Sequence, residues 1–227
     1  MGLAYLEVED LSKVYRQGAR ETVALGGVTF SVEEGEMVAI VGRSGSGKST
    51  LMHLLGCLDM PTGGRYWLNG RDMSALPRRK LAAVRNREIG FVFQQFHLIG
   101  SLNAVENVEL PLLYRGVPKR ERYERAVECL CQMGLQDRLH HKPSELSGGQ
   151  QQRVAIARAI AGEPSLLLAD EPTGNLDSKT TKEIMGMFHD LHQQGNTIVL
   201  ITHDNDIAKQ AARVIHILDG QISEVTL

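Results

Sequence analysis

The chain has 227 residues, 42% of them apolar, and a formal net charge of −2. This suits one globular domain with a full core, and no apolar run approaches the ~20 residues that cross a bilayer. The near-neutral balance offers no broad basic face, so no nucleic acid is expected as a partner, and the densest basic run, Arg78-Arg79-Lys80, reads as a solvated helix face. The start, Met1-Gly2-Leu3-Ala4-Tyr5, lacks a signal peptide's charged and apolar segments, and Leu6 stands where myristoylation at Gly2 needs Ser or Thr. A cytoplasmic location is expected. The three cysteines, Cys57, Cys129 and Cys131, are too few for a disulfide framework and read as buried or half-buried thiols.

In chain order, residues 5–13 alternate and predict an edge-type antiparallel strand, with Tyr15 just beyond it and a loop over 17–21. Val28, Phe30 and Val32 alternate again. Met37-Val38-Ala39-Ile40-Val41 is a continuous apolar run and predicts a buried strand. Next come Gly42-Arg43-Ser44-Gly45-Ser46-Gly47-Lys48-Ser49-Thr50, a full match to the phosphate-loop pattern, with a helix predicted over 51–58. Gly42, Gly45 and Gly47 let the backbone turn where a Cβ would clash. The N–H groups then form an anion nest at a helix N-terminus. Lys48 adds charge for the outer phosphates, and the Ser49 hydroxyl is placed to ligate Mg²⁺.

Residues 65–68 predict a short strand, with Trp67 packed in the small β layer, and Asn69-Gly70 is a turn signal. A helix follows over 77–86 and a buried strand over 89–93. From 103 to 161 helical periodicity takes over, with Tyr123, Ala126, Val127 and Leu130 on one face. The strand pattern returns at 166–169 and 197–201, with helices over 178–194 and 204–211 and a closing hairpin from 214 to 225. Apolar strands alternating with helices imply an α/β parallel sheet covered on both faces.

Several buried strands run straight into polar residues: the phosphate loop, Gln94, Asp170-Glu171 and Thr202-His203-Asp204. In a parallel sheet such ends open on one edge, where ligands bind. Asp170, after an apolar run, has the Walker B pattern and is the candidate metal holder, and Glu171 is the candidate base for an attacking water. Pro172 predicts extended geometry for Glu171. Leu146-Ser147-Gly148-Gly149-Gln150 opens another helix and forms a second anion site that has no lysine of its own. Two such elements with one lysine suggest a shared site.

Leu146 to Gln150 resembles the signature motif of ABC-transporter ATPase domains, and with the Walker motifs the resemblance covers essentially the whole chain. It implies one domain over 1–227: a P-loop NTPase core of RecA-like type (1–95 and 162–227) with an N-terminal antiparallel β layer, and an inserted helical signature subdomain (96–161). It implies ATP and Mg²⁺ as cofactors. Tyr15 resembles the aromatic that stacks on adenine, Gln94 the Q-loop glutamine at the metal, Asp177 the D-loop aspartate and His203 the switch histidine at the γ-phosphate. It further implies a second copy as partner, bound head to tail so that Ser147 and Gly149 face ATP held by the other copy's Lys48, and an integral membrane permease subunit docked near residues 96–108. Gly90-Phe91-Val92-Phe93-Gln94-Gln95-Phe96, Glu106-Asn107-Val108-Glu109-Leu110-Pro111-Leu112 and Asp170-Glu171-Pro172-Thr173-Gly174-Asn175-Leu176-Asp177 are similar to the lipoprotein-release and macrolide-export group. Gly174-Asn175 stands where many of the wider family have Ser-Ala. The alternative implied by the same resemblance is an ATPase that drives an envelope or cell-division regulator without transport.

Overall fold

The computed structural model describes residues 4–18 and 20–226. The reading made at Gly2 lies outside them. The chain divides into two compact units, residues 1–85 with 195–227, and residues 86–194.

The first unit holds an antiparallel sheet of β1 (Ala4–Gln17), β2 (Arg20–Glu33), β4 (Gly63–Leu68) and β5 (Arg71–Asp72), in the order β2-β1-β4-β5. β1 is therefore not an edge strand, because it pairs with β2 on one side and β4 on the other. Alternation reports which face of a strand is buried and is silent on its neighbours. The predicted loop over 17–21 is instead a tight hairpin around Gly18, so Tyr15 lies inside β1, opposite Thr22. Asn69 and Gly70, both at positive φ, turn β4 into β5. Trp67 is half-buried, with the Arg65 guanidinium 6.0 Å from its ring.

The same unit holds β3 (Met37–Val41), flanked in parallel by β8 (Thr197–Thr202) and β9 (Arg213–Leu218), with β10 (Gln221–Thr226) antiparallel to β9. All of β3 and β8 is buried, which is why Met37–Val41 and residues 198–201 read as unbroken apolar runs. The helices α1 (Lys48–Leu55) and α7 (Asn205–Ala208) complete the unit. Ala208 of α7 packs on Ala39 and Val41. Arg213 clamps Glu36 through two bonds of 2.8 and 2.9 Å, fixing the start of β9 against the turn before β3. The division between units falls within α2 (Arg78–Glu88), where Arg78, Arg79 and Lys80 are exposed.

In the second unit β6 (Ile89–Phe93) and β7 (Leu166–Asp170) pair in parallel. The helices are α3 (Ala104–Tyr114), α4 (Lys119–Gln132), α5 (Gly148–Ile160) and α6 (Ser178–Gln193). The buried face of α4 is Ala126, Cys129 and Leu130, whereas Tyr123 is exposed and Val127 only half-buried. The stripe is thus centred one residue further round than the apolar types alone predict, because a thiol packs as a small apolar group. No helix of the described residues is long and apolar enough to cross a membrane.

Asn107 is fully buried and locks the loop before α3. Its amide nitrogen donates to the carbonyls of Ile99, Leu102 and Asn103, and its oxygen accepts from the Ile99 N–H at 2.8 Å. Asn107→Ala strips these groups of their partner, so stability is expected to fall by about 1–3 kcal/mol. Urea denaturation measures that loss, and faster amide exchange confined first to residues 97–103 assigns it to the loop.

Burial pushes the thiols of Cys57 and Cys129 up to about 11, while Cys131 is exposed. At pH 8 the two buried groups are about one part in a thousand thiolate, and the reactive form is further shielded. A single fast iodoacetamide adduct, at Cys131, is expected by mass spectrometry, with the other two appearing only on unfolding or as the pH nears 11.

Candidate functional site

The apolar strand β3 delivers Gly42 to the start of a loop closed by the Ser46 N–H donating to the Arg43 carbonyl at 3.1 Å. Gly47, at φ +104°, then opens α1. A Cβ on Gly47 would lie 2.6 Å from the Ala24 carbonyl oxygen, and one on Gly42 would lie 2.3 Å from that of Ile217. Only glycine fits the two places where this loop passes neighbouring backbone. The Gly220 N–H donates to the Ser46 carbonyl at 2.9 Å and braces the loop from the β9–β10 turn. Lys48 is buried, and its ammonium donates to the Gly42 and Arg43 carbonyls at 2.7 and 3.0 Å. The loop therefore holds a cation beside the unpaired N–H groups of a helix tip, which is an anion site. Ser44, Gly45 and Ser49 are exposed, Thr50 is half-buried, and Ser46 is buried.

Val41 pairs with Thr202, so His203 follows β8 at the sheet edge where Gly42 follows β3. Tyr15 stands on the open side of the unit, 41% exposed. Its hydroxyl donates to Asp59 at 3.1 Å, and the Lys13 ammonium lies 5.0 Å from its ring centroid. Lys13 is nearly buried and is pinned by the Met60 carbonyl at 2.6 Å and Asp59 at 2.8 Å. One ring face is thus backed by a fixed cation. Burial and the Asp59 carboxylate raise the Tyr15 hydroxyl above its ordinary range, against a lowering contact with Thr50. Burial works to raise Asp59 too, but its bonds from Lys13, the Met60 N–H and Tyr15 outweigh it and hold the carboxylate low.

In the second unit the register Phe93↔Asp170 brings Gln94 and the pair Asp170-Glu171 to one edge of β6 and β7. Glu171 does not take the extended backbone that Pro172 predicts. Its φ is +46°, in the left-handed region. The turn that follows decides this: the Gly174 N–H donates to the Glu171 carbonyl at 3.0 Å, and the fully buried Gln152 side chain of α5 holds the Pro172 carbonyl at 2.6 Å. Such a conformation costs on the order of 1–3 kcal/mol and is held by its surroundings.

Ser147 caps α5 in a reciprocal box. Its hydroxyl accepts from the Gln150 N–H at 3.3 Å, and its own N–H donates to the Gln150 side chain at 2.9 Å. Gly149 sits hard against α6, since a Cβ there would lie 2.4 Å from the Thr180 methyl. Asp177 caps α6, accepting from the N–H groups of Lys179 and Thr180 and from the Thr180 hydroxyl. The Thr180 hydroxyl and N–H hold its carboxyl below the usual range. Ser147, Gly149, Gln150, Arg138, Arg153 and Thr180 line one open cleft of about 330 Å³.

Sequence reasoning missed Lys13 and Asp59, which back Tyr15, as well as Gln152 and Arg158. The half-buried Arg158 of α5 donates to the carbonyls of His97 at 2.6 Å and Phe96 at 2.8 Å. Those two residues are both left-handed, at φ +48° and +59°. Burial lowers the Arg158 pKa. Nothing in its helical spacing separates Arg158 from a surface arginine. Only the loop it grips does.

A family model described as ABC transporter matches residues 25–174. The chain belongs to the ABC transporter family. It is 54% identical over 220 residues to an uncharacterized ABC transporter ATP-binding protein of Thermotoga maritima, covering 97% of this chain and 94% of that protein. It is 53% identical over 222 residues to the macrolide export ATP-binding/permease protein MacB of Vibrio parahaemolyticus, covering 98% of this chain but 34% of that one. Among solved structures, the dimeric post-hydrolysis state of the ATP-binding cassette MJ0796 bound to ADP and Pi superposes with a TM-score of 0.90 at 44% identity, covering 97% of each chain. The fold of this ABC chain is accordingly the α/β P-loop NTPase core with a parallel sheet, an antiparallel N-terminal sheet and inserted helices.

Asp59→Asn removes the carboxylate that raises Tyr15 and helps to fix Lys13. The Tyr15 hydroxyl is expected to titrate at lower pH than in the parent protein. NMR of ring-labelled tyrosine across alkaline pH checks the sign, and an unchanged Tyr15 titration would dissolve the assigned pair.

Proposed function

We propose that this chain binds and hydrolyses ATP as the nucleotide-binding subunit of an ABC transporter and works as a head-to-tail dimer. The observation that carries the reading is the pair of unlike helix tips. The tip of α1 is a glycine-lined cradle with Lys48 beside it, and the tip of α5 is glycine-rich and serine-capped with no lysine of its own. The second tip is complete as an anion site only when another molecule brings a lysine-bound nucleotide to it. MJ0796, 44% identical over nearly its full length, is dimeric with ADP and Pi bound.

Each residue has a role in this proposal. Backbone N–H groups of the loop from Gly42 to Thr50, apart from the Ser46 N–H that closes it, receive the phosphates, and Lys48 moves from its loop carbonyls to the outer phosphates. The ring of Tyr15 stacks on adenine through the face that Lys13 leaves open. Ser49, Asp170 and Gln94 can each offer an oxygen ligand, a set that suits Mg²⁺. When bound, that ion neutralises phosphate charge as the bond breaks. Glu171 accepts the proton of the attacking water, whose oxygen bonds to the γ-phosphorus as the bridging oxygen leaves with ADP. His203 donates to a γ-phosphate oxygen, and Asp177 acts at the dimer interface beside Ser147 and Gly149 of its own chain. The helical subdomain spans residues 96–161. A membrane permease docks near residues 96–108 and holds the protein at the inner face of the membrane. In MacB relatives an ATP-binding part and a permease share one name, and this chain spans about a third of their length. We propose export of the macrolide or lipoprotein type on that basis.

Glu171→Gln is expected to keep ATP affinity and lose roughly 10²–10⁴-fold in turnover. Light scattering should show that variant as an ATP-dependent dimer, and a further Ser147→Arg change should return it to monomer with its cradle still loaded. Parent-like hydrolysis would remove Glu171 from the base role. A persistent monomer at saturating ATP, with or without the permease, would remove the shared site.

A further inference from the structure

Gln94 is gripped by the turn after β7 in a way that its assigned role leaves open. The Asn175 side-chain nitrogen donates to the Gln94 backbone carbonyl at 3.1 Å, and the Gln94 side-chain nitrogen donates to the Asn175 side-chain oxygen at 3.2 Å. The first bond settles the orientation of Asn175, because a backbone carbonyl can only accept. Asn175 must turn its nitrogen to that carbonyl, which leaves its oxygen for the Gln94 side chain. That oxygen in turn accepts only from Nε2. The flip of the Gln94 carboxamide is thereby dictated by a backbone group, and Oε1 points away from the clasp with no hydrogen bond to another described residue.

Gly174 supplies the room. A Cβ there would lie 2.7 Å from Gln94 Nε2 and 3.2 Å from Cδ. So the Gly174-Asn175 pair works as a unit, one residue clearing space for the carboxamide and the other orienting it.

We infer that Asn175 and Gly174 are positioning residues that present the oxygen, not the nitrogen, of the Gln94 carboxamide to the metal–nucleotide. This rests on the reading that Gln94 meets Mg²⁺. A hard divalent ion takes oxygen ligands, and a carboxamide turned the wrong way offers it an N–H group instead. Without the clasp, both orientations are open to Gln94, and part of the binding is spent on choosing one.

The test uses Mn²⁺ as the probe and binding as the readout. In the Glu171→Gln protein saturated with ATP, free Mn²⁺ is titrated by electron paramagnetic resonance for four forms: the parent, Gln94→Ala, Asn175→Ala and the double variant. Asn175→Ala is expected to weaken Mn²⁺ binding roughly 2- to 10-fold, the scale of one neutral hydrogen bond. Gln94→Ala should weaken it at least as much, and the double variant should be no weaker than Gln94→Ala alone. Gly174→Ala, which leaves Asn175 in place but crowds the carboxamide, should weaken binding in the same direction. Unchanged affinity in Asn175→Ala, or losses that simply multiply in the double variant, would overturn the inference while leaving Gln94 at the metal. Unchanged affinity in Gln94→Ala would remove Gln94 from the metal and the clasp's purpose with it.

Discussion

Backbone must approach backbone here more closely than any side chain allows. The phosphate loop is threaded between the Ala24 and Ile217 carbonyls, and a single methyl at Gly47 or Gly42 would occupy the space those oxygens fill. With the loop wedged in this way, the tip of α1 is held as an anion site. The rest of the first unit serves that placement. The buried strand β3 carries the chain in, its parallel partners β8 and β9 hold it flat, and the turn at Gly220 braces the loop from behind. Charge at the mouth is handled economically, since Lys48 rests on carbonyls of the loop it serves.

The second unit solves a different problem, holding several functional loops against one another. α5 is its hub. Ser147 and Gly149 form its tip, Gln152 in its first turns grips the chain after Glu171, and Arg158 near its end grips Phe96 and His97 beyond Gln94. Three non-glycine residues, Phe96, His97 and Glu171, take left-handed backbone within these loops. Each such residue is unfavourable alone and persists because Gln152 and Arg158 of α5 bond carbonyls at or next to it. A helix whose tip is proposed to read a neighbour's nucleotide is therefore bonded directly to the loops that carry Gln94 and Glu171. Any shift of α5 has to be felt at both.

Much of this was legible in the chain. The phosphate loop, the buried strands and the capped start of α5 rest on local rules: glycine where φ is positive, unbroken apolar runs where both faces are covered, serine where a helix tip needs an acceptor. Where the structure departs from the sequence pattern, the missing information is non-local. β1 looked like an edge because its own alternation cannot show β4 arriving from residues 63–68. The proline after Glu171 predicts an extended residue, and the sequence carries no sign of the α5 glutamine that holds the Pro172 carbonyl. Helical spacing groups Tyr123 with Ala126, Val127 and Leu130, yet Tyr123 is exposed and Cys129 takes the buried position on α4.

The sequence by itself determined the chemistry of the two helix tips, since a glycine loop, one lysine and a serine cap act through their own backbone and the residues beside them. It also determined the strand order of events along the chain, with polar residues at the ends of apolar runs. Only the tertiary structure decided what holds those residues in place: Lys13 and Asp59 behind Tyr15, Arg158 on the carbonyls of residues 96 and 97, Asn175 around Gln94. Apart from the local Lys13–Tyr15 contact, these are hydrogen bonds and ion contacts between residues 44 to 81 positions apart in the chain. They depend on distance in space, and a one-dimensional pattern carries no measure of that.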